Sequence, residues 1–276
     1  MRRTAPLSLV TGADSTHFLS LIQFLTSVKL HEPDIAVRVY DLGLHPYERE
    51  DLEHQFPRYA LREFRYRSYP RHVRITVRQG QYAWKPLIVW ETLLDTAGPV
   101  CWMDAGNKLI ARLDAIRERL RERGFFSTVS RGLINDWTHP GMLSYLRLDA
   151  DWAAGKRNLS GTCVGFDPRF LAALRLAQRW RNGALVKKCI APPGSNRGNH
   201  RQDQALLTVL AHKHGFGDAI VVGDQCFLRH QDIDGGWRER VQELRRRWDA
   251  AHAQSRGNSA DANAPSERRN LGARGR

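Results

Sequence analysis

A short apolar run, residues 100–103, is followed directly by Asp104, Ala105 and Gly106. A carboxylate at the carboxyl end of such a strand lies where open α/β sheets bind their ligands. Its hard oxygens suit Mg²⁺ or Mn²⁺ bridging a diphosphate, and a glycine lets backbone approach a ligand closely. Asp and Gly are also common in plain turns after strands, so the tripeptide alone favours a turn.

A second carboxylate, Asp203, stands beside Gln204 where residues 201–204 open an apolar helical pattern. The helix dipole favours an acid in a first turn whatever its role, so a capping residue is one interpretation of Asp203. The other interpretation is catalytic: Asp203 accepts hydrogen bonds from sugar hydroxyls, and Gln204 lies near the anomeric carbon.

The first strand is followed by a turn that could present backbone N–H groups to a phosphate or a uracil ring. The residues concerned are Thr11, Gly12, Ala13 and Asp14. The segment has neither the Gly-x-Gly-x-x-Gly spacing of dinucleotide-binding proteins nor the Gly-Lys-Ser/Thr of a P-loop. It predicts neither of those cofactor classes, and a simple turn remains the alternative.

Other polar residues precede helices or follow strands. Lys85 stands just before a helix and could pair with a phosphate or an active-site carboxylate. Asn158 and Gly161 belong to a segment of small and amide residues that could bind sugar hydroxyls, or form a plain loop. His230 follows the last predicted strand and is either a metal ligand, an acceptor-side base or a surface histidine.

The elements that must position these residues follow an α/β pattern. Residues 7–10 and 35–40 predict strands on either side of a helix at 18–28, which opens a parallel sheet. Further helices are predicted at 87–94, 113–123 and 167–180, with strands at 100–103, 125–129 and 219–222. Residues 158–162 are predicted to be a loop running into a strand.

Composition limits the classes of protein. The 276 residues carry a net charge of +14, which favours an anionic partner such as a nucleotide, an acidic glycan, a membrane surface or nucleic acid. The four cysteines lie far apart, so neither a zinc site nor a disulfide framework is expected. The initial apolar run is too short for a signal peptide, and no stretch is long enough to span a membrane. We expect a cytoplasmic protein, with the inner membrane face as a further contact.

Apolar residues become rare after residue 250. Chains of this composition cannot bury enough surface to fold. The sequence therefore predicts one α/β domain over residues 1–250 and a disordered basic tail over 251–276.

The order of the motifs is more specific than any one of them. A first strand, turn and helix come first, followed by Lys-Pro and Trp-Met-Asp-Ala-Gly, then Asn-Leu-Ser-Gly-Thr, and finally Arg-Gln-Asp-Gln. Over residues 7–230 this order resembles the GT-A-fold glycosyltransferases, above all the glycogenin-like and bacterial galactosyltransferase-like retaining enzymes. The resemblance implies a three-layer α/β sandwich with a mostly parallel central sheet. It also implies transfer of a sugar from a nucleotide-sugar donor to a carbohydrate or lipid-linked acceptor.

The resemblance also implies roles for individual residues. Residues 11–14 match the segment that holds the nucleoside, and Lys85 matches a lysine near the diphosphate. Asp104 matches the first acid of the Asp-x-Asp metal motif and is followed by Ala105 and Gly106. Asn158 and Gly161 match the segment lining the donor sugar, Arg201 lies beside it, and Asp203 and Gln204 match the Asp-Gln pair beside the transferred sugar.

One departure from the family pattern concerns the metal. Gly106 stands where the second acid of Asp-x-Asp is expected, which removes one ligand for Mn²⁺ or Mg²⁺ and leaves Asp104 with His230 as candidates. Without a metal, basic side chains would have to stabilise the departing diphosphate, and Lys85, Arg78 and Arg201 are candidates. Two alternatives stay open: a non-catalytic relative with the same fold, and a basic protein that binds nucleic acid or another polyanion.

Overall fold

The computed structural model describes residues 6–96, 98–217, 227–230, 233, 239 and 242–250. The chain divides into two units, Met1–Ile233 and Asp234–Arg276. In the second unit, residues 242–250 are helical. The predicted strand at 219–222 and the predicted tail at 251–276 lie outside the described residues, and the predicted domain boundary at residue 250 stays a prediction.

The first unit alternates strands and helices. Its strands are β1 (Ser8–Asp14), β2 (Ala36–Gly43), β3 (Ala60–Glu63), β4 (Val100–Met103), β5 (Asn107–Leu109), β6 (Phe125–Leu133), β7 (Arg157–Phe166) and β8 (Leu228–His230). Its helices are α1 (Phe18–His31), α2 (Pro46–Gln55), α3 (Trp84–Asp95), α4 (Asp114–Arg123), α5 (Ile134–Trp137), α6 (Pro140–Tyr145), α7 (Ala150–Ala153), α8 (Leu171–Ala184), α9 (Lys187–Ile190) and α10 (Gln202–Lys213). Within the described ranges, none of the helices is long and apolar enough to cross a membrane.

The central sheet has six strands in the order β3-β2-β1-β4-β7-β6. The pairs β3–β2, β2–β1 and β1–β4 are parallel, whereas β7 is antiparallel to both β4 and β6. Only β7 is therefore reversed, and the sheet is mostly parallel, as predicted. Strands β5 and β8 form a separate antiparallel pair.

Helices cover both faces of this sheet. Alternate residues of β1 and β4, such as Val10 and Trp102, join the core formed with α3, α8 and α10. On β2, Val39 points the other way and lies beside Leu25 of α1 and Leu52 of α2. Burial on both faces explains why these strands are nearly continuous apolar runs. The arrangement is a three-layer sandwich with the core on either side of the sheet.

The segment 158–162 differs from its prediction. It was expected to be a loop because it is rich in polar and small residues, but it belongs to β7, between β4 and β6. Its polar side chains find partners within the fold: Thr208 donates to Asn158 Oδ1 at 3.0 Å, and the hydroxyls of Ser160 and Thr162 lie 2.9 Å apart. These contacts remove most of the penalty of burying polar groups in a central strand.

A buried carboxylate fastens the end of α1 to the start of α4. Glu32 is 3% exposed and accepts hydrogen bonds from Leu113 N–H at 2.6 Å and from the two Nη atoms of Arg117 at 2.8 and 2.5 Å. Burial opposes ionisation of Glu32, but these donors outweigh it and hold its pKa below the usual value.

Replacing this carboxylate is expected to weaken the fold in a pH-dependent way. Glu32→Gln should lower the free energy of unfolding by about 1–3 kcal/mol at neutral pH, because buried donors lose a charged acceptor. A lowered pKa stabilises the fold above the ordinary pKa of Glu, about 4.3, and this contribution is lost as the pH falls. Urea unfolding should therefore show the two proteins converging below pH 4. The exposed Glu118→Gln is the control, and an equal effect from both changes would contradict the prediction.

Candidate active site

A cavity of about 610 Å³ opens at the carboxyl ends of β1 and β4. Because β7 runs antiparallel to β4 and pairs Cys163 with Met103, Gly161 and Thr162 also reach this end of the sheet. The first turn of α10 and the start of α3 form other parts of the wall. Open α/β sheets bind their ligands at this edge.

Lys85 contacts three different parts of the cavity wall. It is 4% exposed, and its ammonium lies 2.9 Å from Asp104 Oδ1, 3.2 Å from Asp203 Oδ2 and 3.0 Å from the carbonyl oxygen of Gly161. One buried cation thus joins the end of β4, strand β7 and the start of α10. The Asp203 contact is an ion pair that lacks hydrogen-bond alignment, and Oδ2 has no hydrogen-bond donor among the described residues.

The charges of this cluster depend on one another. Burial alone would lower the pKa of Lys85, but the two nearby carboxylates reverse the effect and raise it, so Lys85 stays charged. Burial raises the pKa of Asp203 more than the Lys85 charge lowers it, and the neighbouring Asp104 adds to the rise. The cluster therefore consists of two acids that share one buried cation.

Asp104 is the more open of the two acids, with 32% of its side chain exposed. Its Oδ1 accepts from the Trp102 indole N–H at 2.6 Å and forms the ion pair with Lys85 at 2.9 Å. Its backbone N–H donates to the carbonyl of Thr162 at 2.9 Å, which ties the end of β4 to β7. These contacts fix Oδ1 of Asp104, and they thereby also fix the position of Oδ2.

Gln204 is oriented by the strand opposite it. Its Nε2 donates to the carbonyl oxygen of Leu159 at 2.6 Å, which leaves its amide oxygen as the acceptor on the cavity side. Helix α10 approaches β7 closely here: a Cβ on Gly161 would lie 3.2 Å from Gln204 Cβ and 3.5 Å from Asp203 Oδ2. A glycine at position 161 therefore allows both side chains to stand next to the strand.

The first strand-to-helix turn contributes a third acid. Asp14 lies at the end of β1, and its Oδ1 is 2.7 Å from both Thr16 Oγ1 and His17 Nδ1. Burial opposes ionisation of Asp14, but these hydrogen bonds outweigh it and lower its pKa. The hydrogen bond that His17 donates to Asp14 raises the pKa of His17. Asp14 is thus an anion that already has its own partner.

Most of the residues predicted from the sequence line this one cavity. They are Gly12, Ala13, Asp14, Lys85, Asp104, Ala105, Gly106, Gly161, Arg201, Asp203, Gln204 and His230. Thr11 and Asn158 are fully buried and do not belong to the lining. Arg78 is exposed next to Gln79, which does line the cavity. The individual roles of these residues stay predictions.

The side chains at the expected metal position do not form a metal centre. Gly106 supplies no ligand, and a Cβ there would lie 2.8 Å from Cε1 of the His230 ring. Asp104 Oδ1 already accepts from Trp102 and is paired with Lys85. Within the described ranges, no three His, Cys, Asp or Glu side chains are grouped to hold one metal ion. The described residues thus do not fit the Mn²⁺ or Mg²⁺ site that the Asp-x-Asp motif implies.

The contact between Gly106 and His230 can be tested. Gly106→Ala should lower the free energy of unfolding by about 1 kcal/mol, because the added methyl group meets the imidazole at less than van der Waals distance. In a His230→Ala background the same change should cost much less, which urea unfolding of the four proteins of this cycle would measure. Equal costs in both backgrounds would contradict the observed position of the His230 ring.

Two arginines, Arg197 and Arg201, also line the cavity. The guanidinium of Arg201 lies over the Trp137 ring, with Cζ 3.8 Å from its centroid, and that of Arg197 lies 5.3 Å from the Tyr82 centroid. The sequence indicated Arg201 by its place before Asp203. Arg197 belongs to the loop before α10 and was not among the predicted site residues, because its contact with Tyr82 exists only in the folded chain.

Comparisons with known proteins bear on the fold. Residues 2–90 match the model of a family described as "Protein of unknown function (DUF1647)". No curated protein matched the sequence. The family match covers the first three strands and most of α3, and it stops short of both aspartates of the Lys85 cluster.

Solved structures similar to this chain include glycosyltransferases. The galactosyltransferase LgtC in complex with donor and acceptor sugar analogs superposes with a TM-score of 0.50 at 16% identity, covering 86% of this chain and 94% of LgtC. A structure of an active-site mutant of LgtC gives 0.50 at 14% identity with the same coverage. The apo bifunctional glycosyltransferase WbbM gives 0.45 at 10% identity, covering 76% of this chain and 38% of WbbM. The chain therefore has a GT-A-like glycosyltransferase fold, and the fold predicted from the motif order is confirmed.

Proposed function

We propose that the chain is a glycosyltransferase that moves a sugar from a nucleotide-sugar donor to a carbohydrate or lipid-linked acceptor. The observation that carries this proposal is the cluster of Lys85, Asp104 and Asp203 at the carboxyl end of the sheet, with Gln204 beside it. The fold supports it, because the cluster occupies the edge where α/β sheets bind nucleotides. A fold alone does not imply an activity, so the proposed function is inferred from the side chains of this cluster.

The donor would extend along the cavity. Its nucleoside would lie against the end of β1, where Gly12 and Ala13 line the wall with little side-chain bulk. Its diphosphate would lie near Asp104, and the transferred sugar next to Asp203 and Gln204. The buried acceptor oxygens of Asp203 and Gln204 are suited to bind hydroxyl groups. A ligand that offers them no hydroxyl leaves these acceptors unpaired, at a cost of roughly 1–3 kcal/mol.

Sugar transfer breaks the bond between the anomeric carbon and the diphosphate oxygen and joins that carbon to an acceptor oxygen, whose proton passes to the departing diphosphate. Positive charge develops on the sugar and negative charge on the diphosphate. The carboxylate of Asp203 and the amide oxygen of Gln204 would stabilise the former, because acceptors held in place need no reorganisation during the reaction. Lys85 would act by positioning, since its N–H groups already face Asp104, Asp203 and Gly161. The protein's other cations at the wall, Arg197 and Arg201, are available to anions.

Ligand-induced stabilisation tests the proposal. The purified full chain is heated with a panel of UDP-, GDP-, CMP- and dTDP-sugars, each with and without Mn²⁺. A nucleotide sugar present at 100 times its Kd should stabilise the fold by about 2.7 kcal/mol, which appears as a rise in Tm. The pair of conditions also measures whether Mn²⁺ contributes to binding. No rise with any sugar nucleotide in either condition would overturn the proposal.

A second function, binding to nucleic acid or another polyanion, is favoured by one observation. The side chains of Arg65, Arg67, Arg71, Arg74 and Arg78 are exposed, and the described part of the chain offers none of them an ion-pair partner. Binding of random-sequence DNA that weakens steeply with salt, without any response to nucleotide sugars, would favour this function. The same outcome would fit a non-catalytic relative of the fold.

A further inference from the structure

Arg197 and Arg201 form a pair of stacked cations in the cavity wall. Arg201 lies over Trp137 with 3.8 Å between Cζ and the ring centroid, and its backbone N–H donates to the Trp137 carbonyl at 3.0 Å. Arg197 lies over Tyr82 and donates to its hydroxyl oxygen. Stacking occupies the face of a guanidinium but leaves the N–H groups at its edge available. Both groups are therefore held in place without using most of their donors.

Neither guanidinium has a carboxylate partner among the described residues, although the cavity contains three aspartates. Asp14 is engaged by His17, and Asp104 and Asp203 are engaged by Lys85. Burial lowers the pKa of Arg201, and the nearby positive charge of Arg197 lowers it further. The two cations thus repel each other, a cost that an anion placed between them would relieve.

Strained backbone lies next to each arginine. Tyr82, whose ring lies under the Arg197 guanidinium, has a φ of 54° within the left-handed turn of residues 78–82, and Gln202, which follows Arg201, has a φ of 34°. Non-glycine residues with such backbone concentrate at ligand-binding sites. Arg201 is only partly exposed, and Arg197 is exposed but is held by the ring and the hydroxyl of Tyr82.

We propose that Arg197 and Arg201 bind an anionic group, a phosphate or a carboxylate, carried by a substrate in this cavity. This proposal rests on the proposed function, since it names the chemical class of one of the substrates. A guanidinium matches a carboxylate or phosphate by two parallel hydrogen bonds, and these charge-assisted bonds are stronger than those to neutral hydroxyls. A neutral sugar would leave both charges uncompensated, so the pair selects for an acidic substrate.

The proposed function places the donor diphosphate near Asp104, so the group bound by this pair has two other sources. It is part of the donor sugar, as in a uronic acid, or it is part of the acceptor, as in a phosphorylated sugar. Two pairs of probes separate these sources: UDP-glucuronate against UDP-glucose, and glucose 1-phosphate against glucose. The first pair differs by a carboxylate in place of a hydroxymethyl group and the second by a phosphate, so the ratio of the two Kd values reports the contribution of the anionic group.

The experiment measures these four Kd values by titration calorimetry on the full chain and on Arg197→Gln, Arg201→Gln and the double variant. We expect the anionic probe of one pair to bind the parent protein at least about tenfold more tightly than its neutral twin. That preference should fall in each single variant and vanish in the double variant. Arg175→Gln is the matched control, because Arg175 is exposed on α8 and, among the described residues, is not part of the lining.

The outcomes separate this proposal from the proposed function. If UDP-glucose and UDP-glucuronate bind equally well, and glucose 1-phosphate shows no advantage over glucose, the anionic subsite is overturned while nucleotide-sugar binding stands. If a preference exists but survives in the double variant, the subsite is also overturned. If neither UDP-sugar binds but glucose 1-phosphate shows a preference that depends on both arginines, the subsite stands and the UDP-sugar donor fails. An unchanged Tm in the variants excludes misfolding as the cause of a loss.

Discussion

Lys85→Met should both destabilise the protein and abolish sugar transfer. The ammonium is 4% exposed and lies 2.9 Å from Asp104 and 3.2 Å from Asp203, so its removal leaves two carboxylates without their shared cation. Removing one partner of a buried ion pair typically costs about 3–5 kcal/mol, because an uncompensated charge remains. Urea unfolding at neutral pH should show a loss of this size.

A second substitution tests the ion pair between Lys85 and Asp203 directly. Lys85→Met combined with Asp203→Asn should be more stable than Lys85→Met alone, because the second change removes one of the two unpaired carboxylates. The coupling measured in this cycle isolates the ion pair from the loss of packing around the lysine stem. Lys188→Met, an exposed position on α9, serves as the control for loss of one positive charge. Additive effects of the two substitutions would contradict the shared-cation arrangement.

Asp203→Asn should reduce donor hydrolysis and transfer by about 10²–10³-fold while the fold survives. The amide preserves the shape of the side chain but removes the negative charge beside Gln204. Asp203 is 5% exposed and its pKa is raised by burial, so its charge is held in a place where water screens it weakly. A charge in such surroundings interacts with a developing positive charge more strongly than the same group in solvent.

Steady-state kinetics with the donor identified by the thermal-shift panel would measure this effect. Asp104→Asn should also reduce the rate, and part of its effect should be a rise in KM. The reason is that 32% of the Asp104 side chain is exposed, at the position expected for the diphosphate. Asp34→Asn is the control, since its side chain is 94% exposed on the loop before β2. Full activity in Asp203→Asn would remove Asp203 from the catalytic machinery.

Local patterns in the sequence predicted much of the fold. Apolar runs such as residues 100–103 predicted buried strands, and helical spacing of apolar residues predicted α1 and α10, because these patterns reflect the period of each element. The order of the motifs then indicated the GT-A-like fold. The prediction for residues 158–162 was wrong, because the hydrogen bonds to Asn158 Oδ1 and to the Ser160 hydroxyl inside β7 come from Thr208 on α10 and from Thr162, two residues along the strand.

The sequence by itself determined which residue types were available to the site: the acids Asp104 and Asp203, Gln204, and a glycine in place of a second acid at position 106. Only the tertiary structure decided how they are used. Lys85 precedes Asp203 by more than a hundred residues, yet both lie within one ion-pair cluster because β4, β7 and α10 meet at one edge of the sheet. Likewise, the stacking of Arg197 on Tyr82 joins a loop to the left-handed turn before α3. Charge pairing depends on distances of a few ångströms between distant parts of the chain, and such distances exist only once the layers have packed.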